Sequence, residues 1–349
     1  MTLPDTISGL LGIEGLLGTV IGSFLGAALI GTIMLANAAL AGPWAKRKIT
    51  AAFTDRISVN KFGPGGIGII IPDAVRLLSK ELIVPEGVDR PAWDIAPVVL
   101  VFSALLGFAV IPMGSGIHLA DPSVGLIFVF AVASIASVSL VMAGYSSNNK
   151  YSFLGGLRAV AQNLAYEIPL ILTGLSVVLF AGSLQMSEIV AAQQEPLVGA
   201  LGIPAWFALV NPFAFVLFMI ANVAEVGRNP FDIPEAPTEI VAGFQTEYSS
   251  VYFVLLYLGE FVHIFLGGAL IATIFLGGPA APIAALSVVP GFIWFLIKIW
   301  GVFLFTQWLR SALPRVRIDQ LITIGWKGML VLSIANLFLT AIIVGVLPS

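Results

Sequence analysis

The chain has 349 residues, of which 58 % are hydrophobic and only 10 % charged, with a formal net charge of -3. Soluble domains carry roughly 25 % charged residues, so this chain lacks the polar surface of a soluble enzyme, and disorder is excluded on the same ground. Sixteen basic residues in a net-acidic chain argue against nucleic-acid binding, and the absence of cysteine excludes disulfides, thiolate zinc sites and cysteine-ligated iron–sulfur clusters.

A mean hydropathy of +1.03 marks an integral membrane protein. Two histidines, His118 and His263, are too few for a two-haem cytochrome, and no metal site is expected. The first basic residue is Lys46, so the N-terminal apolar stretch lacks the positive flank of a signal peptide. A membrane helix needs about 20 apolar residues. Eight windows qualify in chain order, at roughly 19–42, 96–113, 124–143, 162–183, 204–224, 250–276, 286–309 and 327–347. They are continuous apolar runs rather than the alternating segments of a β-barrel. The expected fold is all-α: one polytopic membrane domain over residues 1–349, with about eight transmembrane helices.

Basic residues mark the cytoplasmic side. The first long loop, 43–95, holds eight of them. The loops at 144–161, 225–249 and 310–326, with Lys327 at the far edge of the last, hold all the others except Lys298, which lies inside the seventh span. The opposite side carries Asp5, Glu14, Asp121, Glu188 and Glu195 and no base. An even number of spans with both termini outside, in a cell membrane, accounts for this segregation. Within the first loop, Gly63-Pro64-Gly65-Gly66 reads as a turn into an apolar stretch from Ile67 to Leu82. There Asp73, Arg76, Lys80 and Glu81 recur every three or four residues, the pattern of an amphipathic helix lying at the interface. No internal repeat is evident, which weakens an inverted-repeat transporter reading.

Charges at span depth cost on the order of 2.5–3.5 kcal/mol each and are usually functional. Glu167 opens the fourth span, near Gln162 and Tyr166. Asn222 and Glu225 end the fifth. Tyr257, Glu260 and His263 share one face of the sixth. Structural readings stand beside functional ones: Glu225 as an interfacial cap, His263 as a packed core residue, Glu260 and Lys298 as one interhelical ion pair. Carboxyls spread over several helices also fit a proton path. The densest polar cluster is Glu225 to Glu239, with four acids, one arginine and three prolines, read either as an ordered cavity lining or as a solvated acidic loop.

Several stretches occur together and in order. They are Gly144-Tyr145-Ser146-Ser147-Asn148-Asn149-Lys150-Tyr151-Ser152, then Leu154 to Ala159, then Tyr166-Glu167-Ile168-Pro169-Leu170. Asn229-Pro230-Phe231-Asp232-Ile233-Pro234-Glu235-Ala236 follows, with Glu239 to Phe244 and Thr246-Glu247-Tyr248-Ser249. Leu313 to Gln320 with Gly325-Trp326-Lys327 comes last. From about residue 44 to 330 the chain resembles the H subunit of respiratory complex I, the ND1 family.

That resemblance implies a membrane subunit of a proton-pumping donor:quinone oxidoreductase. It would bind no cofactor of its own, would take quinone as substrate, and would partner peripheral iron–sulfur subunits and antiporter-like membrane subunits. Matching positions assign Glu167, Glu235, Glu239, Glu247 and Glu260 to proton coupling. Arg47, Lys61, Asp73, Arg228, Phe231 and Asp232 would border the quinone cavity, and Lys150, Arg158, Arg310, Arg315, Arg317 and Asp319 would meet other subunits. Quinone would pass sideways from the bilayer between the amphipathic helix and the first and sixth spans. The chain departs from the family pattern at four places. Lys46-Arg47-Lys48 replaces Glu-Arg-Lys, Ser58-Val59-Asn60-Lys61 replaces Gly-Pro-Asn-Arg, Ile69 replaces a glutamine, and Pro237 replaces an acid. The alternatives are the membrane subunit of an energy-converting hydrogenase, a stand-alone ion or solute transporter, and a scaffold that only anchors a peripheral arm.

Overall fold

The structure is a computed structural model and describes residues 2–12, 16–198, 203–236, 239–283 and 286–346; Glu14 and Pro237 fall outside them. Helices α1 (Leu3–Leu11) and α2 (Leu16–Ala36) form an antiparallel hairpin. Gly22 permits it, since a Cβ there would sit 2.3 Å from the Pro4 carbonyl oxygen. A π-turn at Asn37–Ala41 joins α2 to α3 (Gly42–Phe53), so the first span runs on as one continuous helix well past its expected end at residue 42. The π-turn is held where Asn37 donates to the Ile33 carbonyl and accepts from Trp300.

The expected amphipathic helix is shorter than its sequence pattern. It comprises a 3-10 turn, Pro64–Ile69, and α4 (Ile70–Leu78). None of the α4 residues is buried, and Ile71, Val75 and Leu78 are exposed, as an interfacial helix requires. Gly66, at φ 77°, must be glycine because a Cβ would meet the Val59 carbonyl oxygen at 2.2 Å.

The spans continue with α5 (Arg90–Gly107), α6 (Gly125–Ser146) and α7 (Lys150–Ala181). A short helix, α8 (Met186–Ala192), and a ladder of β1 (Pro196–Val198) with β2 (Ile203–Pro204) follow. Next come α9 (Phe207–Val210), α10 (Pro212–Glu225), α11 (Ser250–Phe275), α12 (Gly291–Ala312), α13 (Ile318–Thr323) and α14 (Leu330–Val346).

Among the described residues, seven helices are long and apolar enough to cross a membrane. The fifth expected span, at 204–224, is instead the 14-residue α10, roughly 21 Å at 1.5 Å per residue, preceded by the single turn of α9. The break between them has a local cause. A residue before proline avoids the α-region, and Asn211 before Pro212 takes φ -130° and ψ 75°. Its side chain then accepts from the Ala214 N–H and donates to Thr340 on α14 at 3.2 Å, which fixes the break against a neighbour.

Helix α11 is the centre of the bundle, with 67 % of its span window buried. From Phe261 to Phe275 it is apolar on nearly every face, the composition of a helix surrounded by others. Lys298 does not pair with Glu260. Its ammonium donates to the carbonyls of Leu276, Gly278 and Ala280 at 2.6, 2.8 and 2.7 Å, and lies over the Trp206 ring. It caps the C-terminal end of α11, where a cation meets carbonyls that have no intrahelical partner.

Candidate functional site

The loop between α10 and α11 folds back over the basic-side ends of the bundle. Gly243, at φ 57°, makes this possible: a Cβ there would lie 1.8 Å from the Pro234 carbonyl oxygen. Tyr248 stacks on buried Trp93 of α5 with ring centroids 4.6 Å apart and donates to the Trp93 carbonyl. Ser152 of α7 donates to the Gly243 carbonyl. The return segment is thus held on two sides, and the loop is an ordered lining rather than a solvated tail.

That anchoring brings loop and helix side chains into one cluster. Arg228 is buried and donates to Glu260 of α11 at 3.2 Å, with its guanidinium 5.1 Å from the Phe261 ring centre. Gln245 donates to Glu260 at 2.6 Å and to Glu235 at 3.3 Å, so one amide spans both acids. Like charges that close disfavour each other's ionised form. Burial would raise Glu235, but Arg228, Glu260, Lys46 and Arg310 together outweigh it and hold that carboxyl below its ordinary value. Asp232 is pushed up to about 6 by burial and by Glu235, against the opposing pull of Arg228, Arg310 and Arg315. Arg315 lies 3.8 Å from it.

Two clefts adjoin the cluster on its other side. The first, of about 300 Å³, lies between the α2–α3 junction, α4 and α11. Its wall is mostly apolar, including Ala39, Trp44, Ile70, Leu258 and Phe261, and its polar rim is the ion pair of Arg47 with Asp73. Arg76 also donates to Asp73, at 3.0 Å. The second, about 440 Å³, shares Arg47 and adds Lys46, Arg56 and Ser58. Lys46 stands between the clefts and the cluster, 3.4 Å from the Tyr257 hydroxyl and over the Tyr257 and Phe261 rings.

Toward the bundle interior lies a small cavity of about 60 Å³, mostly apolar in surface but reached by several polar groups. It is lined by Asn163, Glu225, Glu235, Glu260 and His263 together with apolar side chains of α5 and α6. A water needs about 10–15 Å³ by this measure, so the cavity has room for several. Glu225 Oε2 has no protein partner among the described residues. Glu167 accepts from Ser134 of α6 and lies within electrostatic reach of Glu225. The polar groups near it in sequence turn elsewhere: Gln162 donates to the Ala224 carbonyl and Tyr166 to the Leu321 carbonyl.

Not every expected site residue joins this constellation. Glu239 is exposed and paired with Arg158 at 2.5 Å. Glu247 accepts from Asn149 at the start of α7. Phe231 is buried against the Tyr166 ring, at 5.5 Å, and lines a separate apolar groove between α10 and α12. Lys61 is exposed and lines neither cleft, and Lys150 is exposed over the Tyr151 ring. Arg317 and Asp319 form an exposed pair at 3.2 Å, whereas Arg310 and Arg315 reach toward Asp232. Gln245 was not singled out from the sequence, since a lone glutamine in a loop has no pattern that marks it. Lys46 is marked there as the first basic residue and as a departure from the family pattern.

The fold and these contacts define a polytopic membrane protein in which a basic-side loop folds a buried ion-pair cluster beside an apolar cleft. Residues 26–341 match the family described as NADH dehydrogenase. The chain is 43 % identical over 305 residues to the H subunit of NADH-quinone oxidoreductase from Dehalococcoides mccartyi, covering 87 % of this chain and 82 % of that protein. It is 41 % identical to the protein of the same name from Geobacillus kaustophilus and 42 % identical to the one from Bacillus cereus, each over 86 % of this chain and 88 % of the relative. The chain belongs to this family of NADH-quinone oxidoreductase membrane subunits.

Proposed function

We propose that this chain is the membrane subunit of a proton-pumping NADH:quinone oxidoreductase that guides quinone from the bilayer and couples its reduction to proton movement. The observation that carries the reading is the apolar cleft between the α2–α3 junction, α4 and α11. It ends at the Arg47–Asp73 pair and adjoins Lys46 and the Arg228–Glu260 cluster. An isoprenoid tail suits its wall, and a carbonyl-bearing headgroup suits its charged rim. The second cleft continues from Arg47 toward the basic face, where peripheral iron–sulfur subunits would complete the reaction site. On this reading the basic loops are cytoplasmic, both chain ends lie outside, and antiporter-like membrane subunits receive the protons.

Coupling runs through Glu235 and Glu260. Negative charge brought to the headgroup raises the proton affinity of nearby carboxyls, each unit being worth about 1.4 kcal/mol. A proton drawn to Glu235 leaves Glu260 free to exchange with Glu225 across the cavity, and Glu167 is the next acid. Glu239, at the surface, and the half-buried Glu247 border this path.

The cleft is tested with Ala39→Trp in the assembled complex. Filling the cleft raises KM for a long-tailed quinone at least tenfold and leaves electron transfer from NADH to a soluble acceptor intact. An unchanged KM overturns the route. The NADH donor is favoured over a hydrogenase by the relatives, whose shared name specifies it.

A further inference from the structure

His263 lies one turn beyond Glu260 on α11, and both line the same cavity. Its position depends on a close helix crossing. Gly259 lets α5 approach so nearly that a Cβ there would meet the Leu100 side chain at 2.8 Å. The approach puts Leu100 and Ser103, one turn apart on α5, against the ring. Nε2 is 3.3 Å from the Leu100 carbonyl and 3.2 Å from the Ser103 hydroxyl, which itself donates to that carbonyl at 2.9 Å. A carbonyl can only accept, so Nε2 carries the hydrogen. Nδ1 is then the lone-pair nitrogen, and no described protein group bonds it. An imidazole held by one nitrogen beside a cavity, with the other free to accept, is the arrangement of a proton carrier.

We propose that His263 is the proton-accepting residue at the interior end of this cavity, with Ser103 and the Leu100 carbonyl as its positioning groups. The inference rests on the reading that the Glu235–Glu260 pair couples quinone chemistry to proton movement. The step is a simple exchange. A proton leaves a carboxyl of Glu260 or Glu225, crosses the cavity and binds Nδ1, while Nε2–H stays bonded to Leu100 and Ser103. Glu225, Glu235 and Glu260 line the same cavity as the ring. Loss of that proton from Nδ1 to a carboxylate lining the cavity resets the ring. No electron moves in this step, and no bond other than those to the proton changes.

The test uses the whole complex in sealed vesicles, carrying His263→Asn. Asparagine keeps a donor near Leu100 and Ser103 but cannot carry a proton. Electron transfer from NADH to quinone and the thermal midpoint should stay near those of the parent, while protons moved per electron pair fall by half or more. An unchanged ratio overturns the inference, as does a fall in electron transfer with the ratio preserved, which is the signature of a packing role. Should that variant fail to assemble, His263→Gln takes its place, and the same two results overturn the inference. Glu260→Gln is measured in parallel. A full ratio in Glu260→Gln means that the coupling reading itself fails. A lowered ratio there with a full one in His263→Asn overturns only the assignment of His263.

Discussion

The Arg228–Glu260 pair is the test of the cluster's energetics. Arg228→Gln removes the guanidinium 3.2 Å from Glu260 and leaves that carboxyl buried with Gln245 as its remaining partner. Removing one member of a buried ion pair costs about 3–5 kcal/mol, because the other charge stays desolvated. Losing the contact with Phe261 adds about 0.5–2 kcal/mol. At roughly 2–4 °C per kcal/mol for a chain of a few hundred residues, the thermal midpoint should fall by on the order of 10 °C. Glu260→Gln in the same background removes the stranded charge and should restore about 2–3 kcal/mol of that loss, since a neutral pair avoids the buried-charge penalty. The assay is thermal unfolding of the four proteins of the cycle, purified in the same detergent. A double variant no more stable than Arg228→Gln would refute the claim that a buried unpaired carboxylate drives the loss.

Four further expectations concern separate places in the fold. Lys298→Met strands the carbonyls of Leu276, Gly278 and Ala280 and should lower stability by about 3–5 kcal/mol, with protons moved per electron pair unchanged in complexes that survive. Gly243→Ala must displace the Pro234 backbone and should abolish quinone-linked electron transfer. Gly182→Ala, with φ 71° but nothing near its Cβ, should cost only about 1 kcal/mol and keep activity. The folded Asp232 carboxyl titrates at about 6 instead of the usual 3.8, so the folded protein holds a proton that the unfolded chain has released. That contribution to stability is present below the unfolded value and is lost as pH rises toward the folded one. Asp232→Asn should remove this decline, read as thermal midpoint against pH.

Hydropathy and charge placement made the membrane architecture legible because both are written locally along the chain. Runs of apolar residues mark helices, and loop lysines and arginines mark one face. The fifth span shows the limit of that reading. Its composition carries through residues 204–224, but Pro212 breaks the helix and Asn211 turns to Thr340, a contact 129 residues away. The amphipathic helix was likewise visible as a periodic stretch, while its start depended on Gly66 passing close under Val59.

The site divided in the same way. The sequence by itself determined that acids crowd the 225–249 loop and that Glu260 and His263 share one helical face, since both follow from spacing. It also carried the family, through motifs between residues 44 and 330. Only the tertiary structure decided which charges meet. Arg228 takes Glu260, Gln245 spans Glu235 and Glu260, Lys298 caps a helix instead of pairing, and Glu239 stays at the surface with Arg158. The physical reason is that a charge inside a membrane protein must find a partner, and several candidates satisfy that need equally on paper. The choice among them is made by helix crossings and by a loop anchored at Gly243 and Trp93, and those depend on close packing between segments far apart in the chain.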